Sequence, residues 1–137
     1  MSDLTPRVVR LEDRRPLSPH LEIYRPMLTM MMSIVHRITG VILYVGMILI
    51  AWYLIAAATS EPAFNRAYSV LASIPGQIVL FGFTWALFHH FFGGIRHAIW
   101  DTGVGMEPKE REWLAIGTLV GGIVLTILVW IVAYVVR

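Results

Sequence analysis

Apolar residues gather in three long runs along this chain, separated by short polar clusters. From Ile38 to Ala58 no charge interrupts roughly 21 residues, enough for a helix to cross a hydrocarbon core of about 30 Å. Helical character extends back to Leu28, and Thr59-Ser60-Glu61-Pro62 ends it. The second run occupies Val70 to Ile99, with Pro75-Gly76 marking its entry or a kink near the surface. The third, Leu114 to Val136, is free of charge for roughly 23 residues. Helices are therefore expected at about 28–58, 70–99 and 114–136. Between the first two, a single helical turn around Asn65 to Tyr68 is expected. Gly103, Gly105 and Pro108 make the next loop, with Lys109, Glu110, Arg111 and Glu112 solvated beside it. Gly117, Gly121 and Gly122 are expected to let another helix approach the third span closely.

The fold class is an all-α membrane protein with three transmembrane helices. Residues 28–137 form the anchor, and residues 1–27 a cytoplasmic N-terminal segment and interfacial linker. Met1 to Arg15 reads as a polar tail; its Asp3, Glu12 and Asp13 argue against a signal or transit peptide. Pro16 to Pro26 carries three prolines that forbid a continuous helix, so it is a rigid linker on the membrane or a docking segment for a partner. Nine of the eleven Lys and Arg residues lie on the N-terminal side or around the second loop; only Arg66 and Arg137 lie elsewhere. The positive-inside rule then places the N-terminus in the cytoplasm and the C-terminus in the periplasm. A bacterial inner membrane is the expected home, as a multi-pass protein.

Composition narrows the chemistry. A chain 57% hydrophobic and 15% charged, with mean hydropathy +0.68, suits a bilayer rather than water. The formal charge of +2 sits at membrane edges, which sets nucleic acid aside. No cysteine is present, so disulfides, iron–sulfur ligation and thiolate chemistry are excluded.

Two polar clusters fall at the same membrane face. At the start of the first helix, Ser33, His36, Arg37 and Gly40 share one stripe. At the end of the second, His90, Gly93 or Gly94, His97 and Asp101 share another, with Arg96 beside them. Ionisable residues at membrane depth are functional by default. His90 lies roughly 7–8 Å inside Ile95 at 1.5 Å per residue. A neutral imidazole there suits the iron of a b-type haem, with Gly93 and Gly94 leaving room beside the macrocycle and His36, Arg37 and His97 near the propionates. The plainer alternative is a buried histidine bonded to another helix. His89 points about 100° away and reads as a packing or hydrogen-bonded residue. With one deep ligand in the chain, a six-coordinate haem takes its second from another polypeptide. Ser33 and Arg37 suit the carbonyl of a quinone, although Ser33 bonding back to its own helix and Arg37 anchoring the helix end are equally open.

These residues together resemble a known family. Arg15-Pro16-Leu17-Ser18-Pro19-His20, then Ser33-Ile34-Val35-His36-Arg37-Ile38-Thr39-Gly40, then His90-x-x-Gly93-Gly94-Ile95-Arg96-His97-x-x-Trp100-Asp101-x-Gly103 are similar to the cytochrome b large anchor subunits of succinate dehydrogenase, respiratory complex II. The likeness covers roughly Arg15 to Gly103, and its first segment looks α-proteobacterial or mitochondrial. It implies one haem b shared with a second small membrane subunit, with His90 as this chain's axial ligand. It also implies ubiquinone contacts from Ser33 and Arg37, propionate contacts from His36, Arg37 and His97, and a place for Asp101 near the quinone pocket and its proton supply. An iron–sulfur subunit would dock on the cytoplasmic face, with Pro16 to Pro26 part of that contact, and would bring electrons from the flavoprotein that oxidises succinate. The chain itself carries no succinate chemistry and is catalytic only within the complex. The rivals are a fumarate reductase anchor using menaquinone, a structural anchor without haem, and a small proton-relay transporter.

Overall fold

A computed structural model describes residues 24–136; the tail, His20 and most of the proline-rich segment lie outside them. Four helices and no strands make up the described residues: α1 (Leu28–Thr59), α2 (Glu61–Ala72), α3 (Ile74–Asp101) and α4 (Pro108–Val136). Of these, α1, α3 and α4 are long and apolar enough to span a membrane.

The connector between the first two spans is the main departure from expectation. It forms a twelve-residue helix rather than one turn. The cause is a repeated Ser-x-Pro start. Ser60 Oγ accepts from the Ala63 N–H at 3.3 Å, and Ser73 Oγ accepts from the Gly76 N–H at 3.3 Å. In each case proline follows in the first helical turn, where its missing N–H costs nothing. Pro75-Gly76 is thus the entry to α3, not a kink within it. The other departure is α4, which begins at Pro108 and absorbs Lys109 to Glu112 into its first turns.

α3 is the central element, packed along α4 and along α1, with α2 folded against one end of α1 and α3. Contacts run in opposite chain directions on both sides of α3, so neighbouring spans are antiparallel. Trp130 Nε1 donates to Thr84 Oγ1 at 3.3 Å and Tyr134 donates to Gln77 Oε1 at 2.7 Å, tying α4 to the first half of α3. At His89, α4 comes close because residue 122 is glycine: a Cβ there would lie 3.2 Å from the His89 backbone. Gly121 similarly faces the Phe92 ring, whereas Gly117 meets nothing within 4 Å. Within this chain the close approach is seen at the glycine pair, while Gly117 faces open space.

Little of the apolar surface is enclosed. Among the described residues the buried hydrophobic side chains are Met32, Ala56, Ala67, Ala86 and Ala115. Val41, Tyr44, Ile48, Ile55 and Val129 stand exposed along the spans, where lipid or neighbouring subunits cover them.

Candidate functional site

The first turns of α1, the last turns of α3 and the start of α4 meet at one end of the bundle. Here the two polar clusters of the sequence come together. The His36 and His90 imidazoles stack, ring centroids 4.0 Å apart and planes within 7°. Gly93 makes this possible, because a Cβ at that position would run into the His36 ring. Gly40 sits against the His90 ring from α1, where an added Cβ would lie 3.1 Å from Cε1.

Hydrogen bonds fix how His90 presents itself. Its Nδ1 lies 3.1 Å from the His36 carbonyl oxygen and 3.3 Å from Thr39 Oγ1. The Thr39 hydroxyl donates to that same carbonyl at 2.9 Å, leaving its lone pairs for the imidazole. The consistent assignment has Nδ1–H shared between the two oxygens, with Nε2 unprotonated. That is the tautomer of a histidine that ligates metal through Nε2, steadied by a carbonyl from the next helix. Nε2 bonds to no described residue and is not enclosed by the chain, so its lone pair opens at the surface. The stacked His36 covers a face of the ring and leaves the in-plane lone pair clear. These residues fit an iron-bearing macrocycle lying against the chain rather than inside it. The bond to another helix, posed above as an alternative to ligation, does not preclude it: Nδ1 makes the bond and Nε2 stays available.

His97 is exposed, 5.3 Å from the His36 ring and edge-on to Trp100 at 5.4 Å. Arg37 and Asp101 are also exposed and carry no hydrogen bond or ion pair with another described residue. Both point where a partner or water would meet them. Arg96, read from sequence as belonging with His90 and His97, turns away and is 2% exposed. The six-residue step from His90 carries it about 240° around the helix, towards the side of His89. His89 is 0% exposed, stacks on Trp85 at 5.2 Å, and has no hydrogen bond to either ring nitrogen. It is a packing residue and not a hydrogen-bonded one.

Ser33 opens into a cavity of about 300 Å³ lined also by Thr29, Met30, Trp100, Met106 and Arg111. Arg37 is not among its walls. The Ser33 hydroxyl bonds to no described residue, whereas Thr39, Thr84, Thr118 and Thr126 all donate to carbonyls of their own helices. The loop that closes the cavity is held by Trp100, whose Nε1 donates to the Gly105 carbonyl at 3.0 Å. Gly105 has φ +79°, a left-handed conformation that glycine adopts without strain. Sequence reasoning missed Thr39, Trp100, Met106 and Arg111 as site residues. Thr39 was visible, one turn from His36, but only the register between helices shows that it reaches His90.

The arrangement has relatives. The family model described as "Succinate dehydrogenase/Fumarate reductase transmembrane subunit" matches residues 12–130. The chain belongs to this family. It is 44% identical over 121 residues to the succinate dehydrogenase cytochrome b556 subunit of Paracoccus denitrificans, covering 88% of this chain and 93% of that protein. The corresponding b556 subunit of Rickettsia bellii is 35% identical over 123 residues, covering 87% and 93%. The cytochrome b560 subunit of Reclinomonas americana is 32% identical over 136 residues, covering 91% and 90%. The chain is thus a multi-pass transmembrane subunit of the succinate dehydrogenase family, as its motifs led us to expect.

Proposed function

We propose that this chain is the large membrane anchor of a succinate:quinone oxidoreductase, sharing one haem b with a second small membrane subunit and forming part of the site that reduces ubiquinone. The observation that carries the reading is the orientation of His90: Nδ1 is engaged by the His36 carbonyl and Thr39, and Nε2 is open at the chain's surface. His90 would hold the iron, and His36, Arg37 and His97 would meet the propionates near the aqueous edge. Bound haem b supplies a one-electron carrier at that edge.

The quinone head group would lie in the cavity beside Ser33. The free Ser33 hydroxyl donates to a carbonyl oxygen, and exposed Arg37, one turn further along, offers positive charge as that oxygen gains electron density. Two electrons from the iron–sulfur subunit and two protons from the cytoplasm convert the quinone to the quinol. Asp101, exposed at the end of α3, would relay protons from water. The N-terminus lies in the cytoplasm and the C-terminus in the periplasm, so this end of the bundle faces the iron–sulfur and flavoprotein subunits.

A dithionite-reduced minus oxidised visible spectrum of the purified complex tests the haem assignment. A b-type spectrum lost or altered in His90→Leu and kept in His89→Leu is the expected result. Absence of haem from the wild type would leave a structural anchor, and sensitivity at His89 alone would overturn the ligand.

A further inference from the structure

The cavity at Ser33 contains a cation that the motifs do not mark. Arg111, in the second turn of α4, lines it opposite the α1 wall of Thr29, Met30 and Ser33. Its backbone N–H is used, donating to the Glu107 carbonyl at 2.9 Å. Its side-chain Nε is not: the atom is buried and has no hydrogen-bond partner among the described residues. Glu107, Glu110 and Glu112 are near in sequence, yet none of them pairs with it. A guanidinium donor taken out of water without an acceptor is costly, so an acceptor is expected to arrive from beyond the described residues.

The rest of the cavity describes that acceptor. Thr29 and Ser33 lie one turn apart on α1, and neither hydroxyl bonds back to the helix. Met30, Met106 and the Trp100 ring supply apolar walls. The volume, about 300 Å³, is at the small end of ligand sites. A flat, largely apolar ring with oxygens at its edge fits such a lining. A phosphate head group fits less well, since it would leave three apolar walls without contacts. We propose that Arg111 is a second cationic contact to the quinone head group, donating a hydrogen bond from Nε–H to a ring oxygen while Ser33 donates from the facing helix. Arg111 keeps its proton throughout; the two protons of the quinol come from water. The proposal rests on the quinone reading of this cavity given above.

The test uses the whole complex in native membranes with decylubiquinone as the probe. Rates are normalised to dye-linked succinate oxidation, which draws electrons before they reach this subunit. Arg111→Gln is expected to raise KM for decylubiquinone about tenfold or more, with the haem spectrum kept, and Arg111→Lys to restore most of the affinity. An unchanged KM in Arg111→Gln, with Ser33→Ala raising it, would overturn the Arg111 contact and leave the quinone reading standing. No change in either variant would overturn both. Joint loss of haem, dye-linked activity and quinone reduction in both Arg111 variants would make Arg111 an assembly residue and sink the proposal.

Discussion

His36 and His90 lie 54 residues apart in the chain and face to face in the fold, each with a ring nitrogen near the other's backbone carbonyl. His90 Nδ1 approaches the His36 carbonyl at 3.1 Å, and His36 Nε2 approaches the His90 carbonyl at 3.3 Å. The reciprocity locks α1 to α3 at one depth. It also makes the carbonyl of one histidine the tuning group for the other.

Thr39 completes that arrangement from a fully buried position. Thr39→Val keeps the shape and removes the hydroxyl, so the His90 imidazole loses part of the hydrogen bonding that raises its basicity. The variant is expected to assemble, to retain haem less firmly, and to raise the haem midpoint potential by on the order of tens of millivolts. Potentiometric titration of the purified complex measures the shift, and Thr39→Ser should return it towards wild type.

Gly122 and Gly117 lie on the same helix and should respond oppositely to alanine. At Gly122 a methyl would press on the His89 backbone, which has no rotamer to change, and a loss of roughly 1–3 kcal/mol is expected. At Gly117 it meets nothing, and helix propensity alone predicts a gain of up to about 1 kcal/mol. Thermal retention of the assembled complex in detergent separates the two.

His89 offers a stabilising substitution. Both of its ring nitrogens are buried and unpartnered, and each such group costs roughly 1–3 kcal/mol. His89→Leu removes them at similar volume. The variant should match or exceed wild type in thermal stability while keeping its haem spectrum, and a lower stability would mean that His89 finds a partner in the complex.

Trp100→Phe keeps a ring under the Arg96 guanidinium, which lies 5.2 Å from the ring centroid, but loses the bond to the Gly105 carbonyl. The loop bearing Met106 then loosens over the Ser33 cavity. A KM for decylubiquinone raised severalfold, at unchanged dye-linked activity, is the expected result, since one such bond contributes about 1 kcal/mol.

The three spans were legible because their charge-free runs far exceed what a soluble helix needs. α2 was not, because its proline reads as a stop in sequence and acts as the first turn of a new helix in the fold. The start of α4 was hidden for a related reason: Lys109 to Glu112 look solvated, and Lys109, Glu110 and Glu112 are, but on a helix that carries Arg111 into a partly buried position. His90 and His36 could be paired in advance from their helical stripes. The angular step from His90 puts Arg96 on another face, so its place beside His89 is legible in the spacing alone. Arg111 could not be found this way. Its place depends on α1, the glycine-containing loop and α4 converging, and no local spacing encodes that.

Among the described residues, the enclosed apolar side chains are one methionine and four alanines. An interior so thin gives the three spans little to hold on to in each other, and most of their oily surface waits for lipid or for neighbours. A copy made in excess of its partners would therefore present the membrane's proteases with loosely joined helices and exposed glycine faces. Supply of this subunit would then be set less by how fast it is made than by how soon it is claimed.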